Sequence, residues 1–194
     1  MENMMKKMQL WSGLILVLWV AISFAHGPSR VKVEERIVIN ASADKVWDLI
    51  KNFSELHTWL PVCESSVTQG GNEKGATRVL TLKGGGTITE ELKSYKPEKK
   101  SMKYRITDMS SSKTVHHELS GEDVAVPVLP VNNYSATITV KDKDGKAEVI
   151  WKAAFYRAFL NNEPPEEMNE EAGIAAVTQV FQEGLKNLKA MAEK

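Results

Sequence analysis

The chain has 194 residues, with 25 basic and 25 acidic side chains and a formal charge of zero. That balance offers no basic surplus to neutralise phosphates, which excludes nucleic acid as a partner. Its single cysteine, Cys63, can form no internal disulfide, so stability must come from a hydrophobic core, and the thiol reads as buried and inert.

The first segment reads as an export signal. Lys6 and Lys7 precede an apolar run over residues 10–24, and the small residues Ser23 and Ala25 stand where a signal peptidase reads. The 15-residue run is too short to span a bilayer comfortably, so cleavage after Ala25 and release into the periplasm, free of the membrane, are expected. Loss of two lysines and one glutamate leaves 23 basic and 24 acidic residues in a mature chain of 169, residues 26–194, a length that suits one domain. The mature terminus would be His26, whose amine and imidazole form a chelating pair, but Gly27 and Pro28 favour a frayed end over a metal site.

Residues 31–40 read as a strand from the alternation of Val31, Val33, Ile37 and Ile39. Ser42 caps a short amphipathic helix over residues 43–52, with Asp44 in its first turn and Val46, Trp47, Leu49, Ile50 and Phe53 on its apolar face. Ser54 opens a second short helix, which Pro61 ends at Trp59-Leu60-Pro61.

From residue 62 the period becomes two. Strands are predicted at residues 63–69, 76–83, 87–96, 102–108, 114–119, 133–140 and 147–157, separated by turns such as Gly84-Gly85-Gly86 and Lys143-Asp144-Gly145. Asp144-Gly145 suits a tight hairpin because both residues tolerate positive φ. Residues 120–131, carrying Pro127 and Pro130, read as an extended edge segment or loop, an exposed lip over an opening. Pro164 and Pro165, followed by Glu166 and Glu167, open a long helix through residue 190, with Ile174, Val177, Phe181, Leu185, Leu188 and Met191 on one stripe. Stripe and sheet must cover each other. The expected fold is α+β, a helix grip in which a curved antiparallel sheet holds a long C-terminal helix, with two short helices after the first strand and a hollow between sheet and helix.

No nucleophile motif, metal cluster or phosphate-binding loop occurs, and no cofactor is expected. The three glycines at 84–86 lie between strands, not before a helix, and read as a hairpin turn. His116 and His117 point to opposite faces of one strand. On the strands flanking the glycine turn, Arg78 shares a face with Leu80 and Leu82, and Glu90 with Ile88 and Leu92, so both charges point to the core. A turn centred on Gly85 would pair residue 78 with 92 and 80 with 90, leaving Arg78 diagonal to Glu90. By the same parity Tyr134, Trp151 and Phe155 line the hollow, with Trp59 contributing from the second short helix. The charged pair is either a satisfied internal ion pair beneath aromatic packing or an orienting pair for a polar ligand head.

The order of elements, Ala41-Ser42-Ala43-Asp44-Lys45-Val46-Trp47, Trp59-Leu60-Pro61, Gly75-Ala76-Thr77-Arg78, Val128-Leu129-Pro130-Val131 before Tyr134, and Trp151-Lys152-Ala153-Ala154-Phe155-Tyr156 carry a resemblance. The chain resembles the START-like superfamily, also called SRPBCC or polyketide cyclase and lipid-transport proteins. Within it, the mature chain is similar throughout to the MxaD-like periplasmic accessory proteins of bacterial methanol oxidation. What that resemblance implies is a non-catalytic role, assisting methanol dehydrogenase or its electron transfer to cytochrome c through transient contacts. The lip at 127–131 and the acidic Glu163, Glu166 and Glu167 form the expected contact patch. Two further function classes stand beside it: a carrier of a small apolar or amphipathic ligand in the hollow, and a cyclase or hydrolase using Glu90 as a base.

Overall fold

The computed structural model describes residues 27–194; the expected signal peptide, residues 1–25, and His26 lie outside the described residues. The first strand, β1 (Val31–Ile39), leads to α1 (Ala43–Ile50), where Ser42 Oγ accepts from Lys45 N at 3.2 Å as the helix cap. A 3-10 turn (Phe53–Glu55) and the single-turn α2 (Leu56–Trp59) follow, and Pro61 turns the chain into β2 (Cys63–Gln69). The meander continues through β3 (Thr77–Leu82), β4 (Thr87–Lys96) and β5 (Ser101–Met109), then a hairpin of β6 (Ser111–His117) and β7 (Glu122–Pro127), then β8 (Val131–Lys143) and β9 (Lys146–Arg157). The long helix α3 (Glu170–Ala192) ends the chain.

Seven strands form one antiparallel sheet in the order β1-β9-β8-β5-β4-β3-β2, while β6 and β7 pair only with each other. The sheet curves around α3, which lies against β1 and β9, and α1 and α2 close one end. This is the expected helix grip. Asp144 and Gly145 take φ of 55° and 78°, the tight-hairpin geometry that joins β8 to β9. No helix among the described residues is long and apolar enough to cross a membrane.

Of three local expectations, one is narrowed and two fail, each for a physical reason. Residues 120–131, read as an extended edge segment or loop, hold an edge strand: β7 pairs with β6 from Ser111↔Pro127 to His117↔Glu122, and the proline sits at the end of an isolated hairpin, where its missing N–H breaks no central ladder. The long helix does not begin at the prolines. Pro165 is extended, a 3-10 turn spans Glu166–Met168, and Asn169 caps α3 by accepting from Ala172 N at 2.8 Å. Ile174 faces outward, 40% exposed, and the buried stripe of α3 runs instead through Gly173, Val177, Phe181, Gly184, Leu185 and Leu188. The two glycines let the helix approach closely. A Cβ on Gly184 would lie 2.7 Å from Leu60 Cδ1 and 3.0 Å from Trp151 Cζ3.

Candidate functional site

The glycine turn sets the register of the inward charges. Thr81 pairs with Thr87, Leu82 N donates to Gly86 O at 3.0 Å, and Gly85 and Gly86 both take positive φ, giving a three-residue loop centred on Gly84 rather than Gly85. Arg78 therefore stands directly opposite Glu90 and not diagonal to it. The shift is two residues in pairing, so the inward parity survives.

Arg78 and Glu90 are 2% and 5% exposed. Arg78 Nε donates to Glu90 Oε2 at 2.6 Å and Nη1 donates to the Phe53 carbonyl at 2.7 Å. Nη2 also lies 2.6 Å from Glu90 Oε2, but at an angle that makes it a charge contact and not an aligned hydrogen bond. The guanidinium packs against two rings, 4.1 Å from the centroid of Phe53 and 5.0 Å from that of Tyr104. Burial pushes the Glu90 carboxyl above the ordinary carboxylate range, against the pull of the Arg78 charge and hydrogen bond.

Above this pair lies a cavity of about 100 Å³ between the sheet and α3. Its sheet wall includes Leu80, Leu82, Ile88 and Ile106, its helix wall Val180 and Phe181, and its closed end Leu56 and Leu60. Of the six residues singled out by sequence, Glu90, Tyr134 and Trp151 line the cavity. Trp59, Arg78 and Phe155 stand behind it. Trp59 packs on Trp151 at 5.3 Å between centroids, Phe155 stacks on Tyr134 at 6.1 Å, and Arg78 is screened by Glu90.

The lip differs from expectation. Val128 and Leu129 are half-buried and line the cavity, and Val131 is buried, because Val128 N donates to Ser110 O at 3.0 Å and pins the segment to the sheet. Of the acidic partners assigned to it, Glu167 bridges to Lys113 at 2.8 Å.

Tyr104 is the residue that the sequence reading missed. Its hydroxyl accepts from Trp151 Nε1 at 2.9 Å and lies beside the Tyr134 hydroxyl, and it faces the cavity beside Glu90. Burial, reinforced by the Glu90 charge, keeps it firmly protonated. Alternation along Met102, Tyr104 and Ile106 was the signal that places it inward. Cys63 also lines the cavity, and burial pushes its thiol up to about 11. His117 serves the structure rather than the cavity. Its Nε2 donates to the Glu163 carbonyl at 2.9 Å and its Nδ1 is hydrogen-bonded with the Ser120 hydroxyl at 2.8 Å, tying the β6–β7 hairpin to the segment before α3. His116 points outward to Asp123.

Solved structures resemble this one along most of its length. An uncharacterised protein of Bacillus thuringiensis is 26% identical with a TM-score of 0.65, over 84% of this chain and 100% of that one. The protein XoxI of Bacillus cereus is 27% identical with a TM-score of 0.64, over 84% and 95%. The ZhuI aromatase/cyclase of Streptomyces sp. R1128, 17% identical with a TM-score of 0.63 over 85% and 94%, shares the fold. No curated protein matches the sequence. The family model described as polyketide cyclase / dehydrase and lipid transport matches residues 30–193, and the chain belongs to that family.

Proposed function

We propose that this chain is exported to the periplasm and acts as a non-catalytic accessory protein of methanol oxidation, assisting methanol dehydrogenase and its electron transfer to cytochrome c. The supporting observation is that the motifs carrying the MxaD-like resemblance converge in space. Leu60, Val128, Leu129 and Trp151 come from three separate motifs and border one cavity, with Trp59 packed behind Trp151. The chemistry of the site agrees with a protein that holds rather than transforms. Cys63 is a buried thiol with a raised pKa, and Glu90 is held through its Oε2 by Arg78. Deleting the gene should slow growth on methanol, and the purified protein should speed cytochrome reduction by methanol dehydrogenase while turning over nothing alone. Unchanged growth with an unchanged reduction rate would overturn the reading.

The apolar cavity between sheet and helix favours a second reading, the binding of a small, largely apolar molecule. Native mass spectrometry of protein purified from its own cells tests it. Retention of one small molecule, together with unaffected methanol growth, would put the carrier role first.

A further inference from the structure

The cavity wall is apolar except at one end, where Glu90, Tyr104 and Tyr134 meet. Two polar functions there are spare. Glu90 spends Oε2 on Arg78, and no donor among the described residues reaches Oε1. The Tyr104 oxygen accepts from Trp151 and lies beside the Tyr134 hydroxyl; whichever of the two tyrosines donates to the other, one proton of the pair has no acceptor among the described residues. One acceptor and one donor therefore face the same small space, and an apolar occupant that covered them without pairing them would cost about 1–3 kcal/mol for each. A hydroxyl group answers both, since it donates one hydrogen bond and accepts others.

Charge and size narrow the occupant further. Arg78 and Glu90 already neutralise each other, and among the described residues lining the cavity Glu90 is the one charged side chain. A ligand carboxylate would meet the Glu90 carboxylate, and a ligand ammonium would leave two cations sharing one anion in a dry site. The volume of about 100 Å³ is below the roughly 150 Å³ of an apolar cavity that takes benzene. A single ring therefore needs the half-buried Val128 and Leu129 at the rim to give way, and anything larger needs more of the wall to move.

We infer that the cavity binds a small uncharged alcohol or phenol, no larger than one ring, whose hydroxyl donates to Glu90 Oε1 and accepts from the Tyr104–Tyr134 pair. This inference rests on the cavity-binding reading above. Arg78 is a positioning residue in it: pinned by Phe53 and two aromatic faces, it fixes the carboxylate that meets the ligand.

Calorimetric titration of the purified protein with phenol, toluene, benzoate and benzylammonium tests it. Phenol is expected to bind about tenfold or more tightly than toluene, which fills the same shape but leaves both polar groups unpaired, and than either ion. Toluene, benzoate or benzylammonium binding as well as phenol would overturn the inference while leaving the cavity-binding reading intact. If neither phenol nor toluene binds at millimolar concentration, the cavity-binding reading itself fails. Placement is checked with Ile106→Phe, which fills the cavity from its half-buried rim, or with Val128→Phe if the first variant does not fold. Phenol affinity should fall at least tenfold in the folded variant, and undiminished binding would place phenol elsewhere and overturn the assignment.

Discussion

Arg78 on β3 and Glu90 on β4 face each other across one rung of the sheet, 2.6 Å apart from Nε to Oε2 and almost wholly removed from water. The pair is held from behind by the Phe53 carbonyl, so it cannot relax toward solvent when one member is lost. Glu90→Ala is expected to destabilise the fold by about 3–5 kcal/mol, because it strands a buried guanidinium. Replacing both partners, Arg78→Met with Glu90→Leu, should recover most of that loss. Urea unfolding of the three proteins measures it, and a loss below about 1 kcal/mol for Glu90→Ala would mean that the pair is as weak as a surface bridge.

The closeness of α3 to the sheet depends on a missing side chain. Gly184 lies in the interior of a 23-residue helix, where alanine would ordinarily gain about 1 kcal/mol in helix propensity. Here the added methyl would come within 3.0 Å of Trp151, whose ring is stacked on Phe181 at 4.1 Å and cannot turn aside. Overpacking should win, and Gly184→Ala is expected to destabilise by about 1–2 kcal/mol net. Thermal unfolding decides the sign; a higher melting temperature would show that Leu60 and Trp151 have room to move.

Asn169 fixes where that helix starts. Its side chain takes the Ala172 N–H that would otherwise be unsatisfied, and Glu170 and Glu171 follow in the first turn. Asn169→Ala should cost about 1 kcal/mol, and Asn169→Asp should cost almost nothing. Equal losses for both in denaturant melts would show that the cap hydrogen bond contributes little.

The fold was legible because its signals repeat: period two over seven strands, period 3.6 in the last helix, and a turn at Asp144-Gly145 that only positive φ satisfies. Inward placement of Arg78 and Glu90 was legible for a related reason, since parity is unchanged by a slip of two residues. The exact register was not, because three consecutive glycines admit several loops and only the folded backbone selects one. The helix stripe misled at Ile174, where a buried glycine one position earlier carries the contact that hydropathy alone assigns to the larger residue. Val128 and Leu129 were obscured by their flanking prolines, which mark an irregular backbone but not the direction in which it turns. Within the cavity, Trp59 and Phe155 support Trp151 and Tyr134 from behind, a depth relationship that alternation along a single strand does not encode.

Cys63 offers a test of how closed the cavity is. The thiol is 2% exposed, and burial raises its pKa from the ordinary 9.0 to about 11, with the Arg78 charge opposing only in part. At pH 8 the thiolate fraction of the folded protein should be about one in a thousand, against about one in ten for the unfolded chain. Iodoacetamide should therefore label the native protein at least about a hundredfold more slowly than the urea-unfolded chain. The same shift fixes the sign of a pH effect. A thiol that holds its proton more tightly when folded contributes stability that is complete below pH 9.0 and is lost as pH rises through about 11. Wild type measured against Cys63→Ala should lose stability across that window and track it below. Rapid native labelling at pH 8, or a stability difference flat from pH 8 to 11, would mean that water reaches Cys63 and that the cavity is open at its β2 wall.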